Sequence, residues 1–367
     1  MSSANSQPPR NPLRVAIIGY GLAGAVFHAP LVAATPGMEV AAIVTGHPER
    51  QRRAQGDFPH AAVLSTTEDL WHDPARYDLV VVAAPNRAHV PLGLAAMNAG
   101  LPVVIDKPMA ASVAEAEQLV ATSKRTGKLL SVFQNRRWDN DFLTVRQLIT
   151  ADLLGSLTRF ESRYERYHAL PRSDVWREFP AVEEAGGLLY DLGSHLIDQA
   201  LHLFGQPVSV YAELEKRRPG AQVDDDSFVA LRFSNGVRAH LWMSLVARTP
   251  GPRLRVSGLR GTYEKWGLDP QEDALRSGVR PGDPGWGLEP REQWGRLSAD
   301  INGVHIDGPV ETLPGAYERY YALLRDALVA GGPPPVDPAD AVASLHIIEA
   351  AQQSAGNGTA VTLTEER

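Results

Sequence analysis

Short apolar runs, rich in β-branched residues, alternate with helix-like stretches over the first third of the chain. Runs of this length and composition are typical of buried parallel strands. The pattern predicts strands at 13–18, 40–44, 77–84, 102–105 and 129–133, with a helix at 113–127. Strands that alternate with helices favour an open, mostly parallel sheet.

The rhythm changes after about residue 139. Helices are expected at 141–149 and through 186–204, and several strand-like runs lie between and beyond them. Asn235-Gly236 joins two of these runs and is a strong hairpin signal. The pattern predicts an antiparallel sheet with one covered face, built from strands at 157–166, 208–214, 227–233, 237–246, 253–257 and 261–266.

Residues 267–310 are rich in glycine, proline and charged residues, and this composition predicts long loops. Two further helices are expected at 316–329 and 339–355, separated by the GGPPPVDP segment, and we expect both to pack back against the first domain. The chain is therefore expected to comprise a disordered tail at 1–12, a first domain at 13–134 and a second α/β domain at 135–367.

Composition narrows the class of protein. A chain of 367 residues with 44% hydrophobic content suits about two globular domains, and a net charge of -7 argues against nucleic acid as the main partner. No apolar run approaches the roughly 18 to 20 residues that cross a bilayer, and the N-terminus lacks the apolar core of a signal peptide. We therefore expect a cytoplasmic protein without a membrane partner. The absence of cysteine excludes disulfides, thiolate zinc sites and cysteine nucleophiles.

The first predicted strand runs directly into GYGLAG, a G-x-G-x-x-G motif formed by Gly19, Gly21 and Gly24. In such a turn one glycine makes the bend, one lets the backbone approach a pyrophosphate, and one permits close packing of helix on strand. The motif alone is weak evidence, but here the required strand, helix and second strand surround it. These features predict a dinucleotide site. The alternative is a tight turn without a ligand.

The residues after the second predicted strand bear on which dinucleotide binds. NAD sites usually place Asp or Glu there, about 20 residues beyond the glycines, to bind the ribose. This chain has Thr45-Gly46-His47 instead, and Arg50, Arg52 and Arg53 follow. An absent carboxylate with nearby guanidinium groups favours the 2′-phosphate of NADP. NAD remains the alternative, since these arginines also fit a solvated helix face.

Polar residues also follow the later strands of the first domain. They include His89, Lys107, Asn135 and Arg137, all at carboxyl ends of predicted strands, where open parallel sheets bind ligands. Pro85, Asn86 and His89 are candidates for the nicotinamide side of the cofactor. As a structural alternative, Asn86 would cap the helix that follows it.

The helix predicted through 186–204 is apolar on most sides but carries Asp191, His195, Asp198 and His202 in one stripe. The spacing of four, three and four residues places these side chains on one face. Asp191 and His195 are candidate functional residues. Hydrogen bonds within a buried interface are the simpler interpretation of Asp198 and His202. A metal site in the stripe is the alternative, but no third ligand is evident, so no metal is expected.

The order G-x-G-x-x-G, then D-K-P at 106–108, then G-G-x-x-x-D-x-G-x-H at 186–195 resembles the Gfo/Idh/MocA oxidoreductases from Leu13 onwards. Within that family, stretches such as LYDLGSHLIDQALHLFG are similar to the NADP-dependent scyllo-inositol dehydrogenases. The chain departs from the family at Asp106, where Glu is usual, and at Gly46-His47, where those dehydrogenases have Ser-Arg. The second departure leaves Arg50 and His47 as candidates for the 2′-phosphate contact, with Thr45 beside them.

The resemblance implies a Rossmann domain followed by an α/β domain with an open, mainly antiparallel sheet. It also implies homodimers or homotetramers formed through that sheet, a tight and often cis-proline turn at Lys107-Pro108, and catalytic roles for Lys107, Asp191 and His195. Imidazole suits proton transfer because it titrates near neutral pH. We therefore expect His195 to act as general base or acid and Lys107 to stabilise charge on the substrate oxygen. Asp191 would hold substrate hydroxyls or orient the imidazole.

Aromatic walls and hydrogen-bond donors suit a polyol or sugar ring, and segments expected to border the pocket supply both. Trp176 also fits a packing role, and Arg177 also fits an ion pair with Glu178 or Glu183. The candidate substrate contacts are Asn135, Arg137, Tyr167, Trp176 and Arg177.

The expected activity is NADP(H)-dependent hydride transfer to or from a secondary alcohol of an inositol, polyol or sugar. One alternative keeps the fold and changes the substrate, for instance an aldose 1-dehydrogenase or another sugar dehydrogenase using NAD. The other is a non-catalytic NADP-binding sensor, which would be expected to lose the lysine or the histidine. This chain retains both.

Overall fold

The computed structural model describes residues 12–172, 178, 181 and 184–363. The first sheet has six strands: β1 Leu13–Ile18, β2 Met38–Val44, β3 Ala62–Leu64, β4 Leu79–Val82, β5 Val103–Asp106 and β6 Leu130–Phe133. All neighbours are parallel, in the order β3-β2-β1-β4-β5-β6. The order reverses between β1 and β4, which creates a crevice beyond their carboxyl ends. The predicted parallel sheet is confirmed.

Helices connect these strands. A wide π-helical turn at Ala23–His28 leads into α1 Ala29–Ala34. The other helices of this part of the chain are α2 Pro48–Asp57, α3 Thr67–His72, α4 His89–Asn98 and α5 Val113–Thr126. The hydrophobic pattern does not reveal β3, which has only three residues, all of them half-buried.

The second sheet has nine strands: β7 Leu157–Glu165, β8 Pro207–Glu215, β9 Asp226–Phe233, β10 Arg238–Ser244, β11 Leu254–Gly258, β12 Gly261–Lys265, β13 Gly295–Ile301, β14 Val304–Val310 and β15 Val361–Thr362. Their order is β14-β13-β12-β11-β7-β10-β9-β8-β15. Every neighbouring pair is antiparallel except β7 and β10. This confirms the mainly antiparallel sheet, including the hairpin at Asn235-Gly236.

The remaining helices are α6 Asn140–Thr150, α7 Ser194–Phe204, α8 Gln271–Ser277, α9 Glu318–Ala330 and α10 Pro338–Asn357. Helices α7 and α10 contact one face of the second sheet, where Val229, Leu231 and Leu241 are buried. Because successive strand residues point to opposite faces, Phe228, His240 and Trp242 lie on the other face, where they are half-buried.

The expectation of long loops at 267–310 was wrong. This segment contains α8 and the β13–β14 hairpin, whose turn is Asn302-Gly303, both with positive φ (51° and 80°). Asn-Gly is the same hairpin signal that was recognised at 235–236. β14 is an edge strand whose residues are almost all exposed, so its sequence lacks the apolar alternation of a half-covered strand.

The last two helices join the two sheets. Tyr320 on α9 donates a hydrogen bond to Ser131 on β6 (3.0 Å), and Ser131 donates to the carbonyl oxygen of Val336 (3.0 Å). Glu349 on α10 accepts from the backbone N–H of Val113, at the start of α5 (2.8 Å). These contacts hold the helices against the first domain and fix the cleft between the two sheets.

Candidate active site at the carboxyl edge of the first sheet

The glycine turn after β1 is shaped by close backbone contacts. Gly19 has φ +99°, and a Cβ there would lie 2.3 Å from the carbonyl oxygen of Ala83. A Cβ on Gly24 would lie 2.0 Å from the carbonyl oxygen of Gly19. At Gly21 the nearest atom to such a Cβ is an Arg50 nitrogen, at 3.8 Å, so the space above this residue is open. The turn therefore fits a dinucleotide: two glycines permit the packing, and the third leaves room for the pyrophosphate.

A groove of about 410 Å³ runs from this turn along the sheet edge, and we call it the cofactor groove. Thr45 and Arg50 line the cofactor groove. His47 does not line it; this residue is exposed and lies just before α2. Three hydroxyl-bearing residues that no sequence motif marks also line this end, namely Ser65, Thr66 and Thr67. They follow β3, the short strand that the pattern did not reveal.

The far end of the cofactor groove is lined by Pro85, Asn86 and His89. The Asn86 amide donates to the carbonyl oxygen of Glu184 (2.8 Å) and thus ties this loop to the second part of the chain. His89 is buried; its Nδ1 lies 2.8 Å from the carbonyl oxygen of Pro108 and its Nε2 lies 2.9 Å from that of Ala84. Burial lowers the pKa of His89. The ring thus links the loop after β4 to the Lys107-Pro108 turn.

Lys107 stands where the cofactor groove meets a second cavity. The Lys107-Pro108 peptide bond is cis. The Lys107 ammonium donates to Asp191 Oδ1 (2.9 Å) and also to the Asp191 carbonyl oxygen. Asp106 beside it accepts from the backbone N–H of Lys107 (2.8 Å). Burial alone would raise the pKa of Asp106, but His28, His89 and Lys107 together lower it, so this carboxylate stays ionised.

Asp191 and His195 lie on a helix whose first turns are wider than an α-helix. Leu189–Gly193 is π-helical and continues into α7. Such wide turns are rare and occur frequently at functional sites. His195 is almost fully buried, and its Nδ1 lies 3.1 Å from Gln134 Oε1, just after β6. Gln134 was not singled out from the sequence, although the polar run at the end of that strand was.

The second cavity, of about 370 Å³, is called the substrate cavity below. It brings together Lys107, Asp191 and His195, and Asn135 lines it as well. Leu22, Ala23, Asp106 and Lys107 line both this cavity and the cofactor groove, so the two spaces adjoin. A group held in one would therefore lie next to a group held in the other.

Two of the proposed substrate contacts lie elsewhere. Arg137 is buried in a bidentate ion pair with Asp198 (2.8 and 2.6 Å) and also binds Asp340 (2.9 Å). Its neighbour Arg136 lines the substrate cavity instead. Both arginines lie in a short 3₁₀ turn at 135–138, so adjacent side chains point in different directions.

Tyr167 does not line the substrate cavity either. Its hydroxyl accepts a hydrogen bond from Arg248 (2.7 Å), whose guanidinium lies 3.8 Å from the ring centroid. Arg166, one residue earlier, lines the cavity, as the alternation of an extended segment requires. Trp176 and Arg177 lie outside the described residues.

The later half of the polar stripe supports packing. Asp198 is the buried partner of Arg137, and His202 lies in a separate groove with its ring centroid 6.1 Å from that of Phe142. Among the described residues no group of three or more histidine, aspartate or glutamate side chains is arranged to hold a metal. Within the same ranges no helix has the length and apolar character needed to span a membrane.

Known proteins resemble this chain over almost its full length. Residues 13–134 match the Gfo/Idh/MocA family described as "Oxidoreductase family, NAD-binding Rossmann fold", and residues 146–363 match its "C-terminal alpha/beta domain". The oxidoreductase YdgJ of Escherichia coli (strain K12) is 40% identical over 349 residues, 94% of this chain and 96% of its own.

Two further relatives extend the comparison. The scyllo-inositol 2-dehydrogenase (NADP(+)) IolW of Bacillus subtilis (strain 168) is 38% identical over 345 residues, 93% of each chain. The solved structure of the oxidoreductase yvaA from Bacillus subtilis superimposes with a TM-score of 0.91 at 35% identity, covering 98% of this chain and all of that one. With both domains matched, this chain belongs to the Gfo/Idh/MocA oxidoreductase family and is an enzyme of that class.

Proposed function

We propose that this enzyme transfers hydride between NADP(H) and a secondary alcohol of an inositol, polyol or sugar. One observation carries the proposal: Lys107, Asp191 and His195 line one cavity, and that cavity adjoins the groove built by the glycine turn. The name of the relative IolW, a scyllo-inositol 2-dehydrogenase that uses NADP(+), supports the same substrate class. A bound nicotinamide would supply the hydride acceptor or donor.

His195 is the general base in the direction of alcohol oxidation. Donation from its Nδ1–H to Gln134 Oε1 fixes the tautomer in which Nε2 holds the lone pair. In this tautomer Nε2 is the atom that removes the hydroxyl proton of the substrate and returns it during reduction. Because the ring is almost fully buried, bulk water competes little for that proton.

Lys107 stabilises negative charge on the substrate oxygen. Its ammonium has three N–H donors, of which the Asp191 side chain and carbonyl group engage two, so a third can be directed at the substrate. Asp191 in turn holds the lysine in place beside the reacting oxygen. A fixed cation of this kind acts at the oxygen where charge develops.

NADP is preferred to NAD because of Arg50. Its guanidinium lies beside the open space at Gly21, and Arg50 lines the cofactor groove together with Thr45. Thr45-Gly46-His47 come directly after β2, where NAD sites usually place a carboxylate for the ribose 2′-hydroxyl. A guanidinium group at this end matches the doubly charged 2′-phosphate.

The uncovered face of the second sheet is the surface through which we expect the chain to form a homodimer or homotetramer. Phe228 and Trp242 lie there with ring centroids 5.1 Å apart, and the Arg163 guanidinium lies 3.8 Å from the Trp242 ring centroid. Half-buried aromatic and arginine side chains on one flat face are typical of protein interfaces.

The test is the initial rate of nicotinamide reduction with scyllo-inositol, myo-inositol and D-glucose, with NADP and NAD in parallel. His195→Ala should lower kcat by roughly 100- to 10,000-fold, as expected for loss of a general base. His202→Ala is the matched control, since that imidazole lies on the same helix but in a separate groove. Near-normal turnover by a folded His195→Ala protein would contradict the proposal, and turnover with NAD alone would contradict the role of Arg50.

A further inference from the structure

The substrate cavity holds more fixed positive than negative charge. Four arginines and Lys107 line it, against three carboxylates, those of Asp106, Asp191 and Glu272. The carboxylates are already engaged: Asp191 binds Lys107, and Asp106 accepts from the Lys107 backbone. Glu272 binds two of the arginines, Arg136 at 2.6 Å and Arg276 at 2.8 Å.

Among the cations that line the cavity, Arg166 has no carboxylate partner in the described part of the chain. No carboxylate of the described residues lies within 4.0 Å of its guanidinium. The guanidinium also makes no hydrogen bond to any described residue. The backbone of Arg166 is held in place, because its N–H donates to the carbonyl oxygen of Ser244 at the end of β10 (2.8 Å). Arg172 also lines the cavity, and among the described residues both its Nε (3.4 Å) and its backbone N–H (3.1 Å) contact the Glu178 carboxylate.

A neutral polyol would leave this charge unmatched. The guanidinium group presents parallel N–H donors that fit the two oxygens of a carboxylate or phosphate, and such paired hydrogen bonds are stronger than those to a hydroxyl. Arg166 is itself exposed, so water and salt screen the attraction, and the geometry of the paired hydrogen bonds carries the preference for an anion.

We propose that the preferred substrate is a polyol or sugar carrying an anionic group, a carboxylate or a phosphate, and that Arg166 binds this group. The inference rests on the proposed function, because it names the substrate class for the same cavity. Lys107 and His195 act on the reacting hydroxyl, and Arg166 binds the substituent that distinguishes the substrate from its neutral analogue.

The experiment compares matched neutral and anionic compounds: D-glucose with D-glucuronate and D-glucose 6-phosphate, and myo-inositol with myo-inositol 1-phosphate. For the wild-type enzyme with NADP, kcat/KM should be at least tenfold higher for an anionic member than for its neutral partner. The kcat/KM for the anionic compound should also fall more steeply with added salt than that for its neutral partner. The carboxylate and phosphate arms show which anion is recognised.

Arg166→Gln removes the charge and keeps a polar side chain. It should lower kcat/KM for the anionic compound tenfold or more, through KM, and leave the neutral compound within about twofold. Arg248→Gln is the matched control, because this arginine stacks on Tyr167 and does not line the cavity. Equal losses for both compounds, or a wild-type preference for the neutral one, would overturn the proposal.

Thermal unfolding in the presence of NADP separates this inference from the proposed function. D-glucuronate or D-glucose 6-phosphate should raise the Tm of the wild-type protein but not that of Arg166→Gln, and D-glucose should raise neither. If the shift occurs and no compound is oxidised, the proposed function fails while the anion site stands. If neutral compounds are oxidised and no anion shifts the Tm, the inference fails while the proposed function stands.

Discussion

The cofactor groove and the substrate cavity share Lys107 but are built in different ways. The groove takes its shape from backbone: Gly19 and Gly24 stand where any Cβ would lie within 2.3 Å of a carbonyl oxygen. The cavity takes its shape from charged side chains on separate elements, such as Lys107 with Asp191 and Arg136 with Glu272. A groove made of backbone is specified by a short sequence motif. A cavity made of ion pairs is specified only when distant segments come together.

A single added methyl group should therefore disrupt the cofactor groove. Gly24→Ala would place a Cβ 2.0 Å from the Gly19 carbonyl oxygen, and neither backbone can move without displacing β1 from the turn. We expect a loss of at least about 3 kcal/mol in the free energy of unfolding, together with loss of measurable NADP binding. Denaturant unfolding and fluorescence titration with NADPH measure the two effects.

Gly56→Ala is the control for that change. This glycine lies in α2, and a Cβ there would meet nothing within 4 Å. The substitution should be neutral or should stabilise the protein by up to about 1 kcal/mol, since alanine favours a helix. An equal effect of both substitutions would mean that the close contact at Gly24 does not govern the groove.

The same difference explains what the sequence could predict. The glycine motif, the parallel sheet and the candidate roles of Lys107, Asp191 and His195 all follow from local patterns or from the family resemblance. Which of Arg136 and Arg137 lines the cavity does not follow, because the answer depends on Asp198 and Glu272, 61 and 136 residues away.

The missed elements have a related cause. β14 is an edge strand with almost every residue exposed, so hydrophobic alternation cannot reveal it. Its turn, Asn302-Gly303, carried the usable signal. Tyr167 was chosen for its aromatic ring, but the alternation of the chain turns Arg166 toward the cavity instead. The aromatic ring therefore pointed to a segment that borders the cavity, but the preceding side chain is the one that lines it.

Arg137 should contribute to stability and not to catalysis, because its contacts are buried ion pairs away from the substrate cavity. Arg137→Met would leave Asp198 buried without its bidentate partner, and a buried carboxylate stripped of its partner costs about 3 kcal/mol in the free energy of unfolding. We expect that loss in denaturant unfolding, with kcat/KM of the folded enzyme within about threefold of wild type. Arg146 lines the same groove as Arg137 and His202 but has no carboxylate partner among the described residues, so Arg146→Met should change stability little. A large rise in KM for Arg137→Met would instead mean that Arg137 contacts the substrate.

The smallest effect is expected at Gln134, a positioning residue that acts through His195. Gln134→Leu removes the acceptor at Nδ1, so the imidazole is free to adopt the wrong tautomer, and we expect kcat to fall by about three- to tenfold with KM unchanged. The protonated ring also loses a partner, so the acid limb of the pH–kcat profile should move to lower pH. Gln134→Glu should move it the other way, because a carboxylate favours the imidazolium ion. Opposite displacements by two variants of one side chain would show that the cavity depends on an oriented imidazole. Equal losses of kcat without any displacement would mean that Gln134 only fills space between β6 and α7.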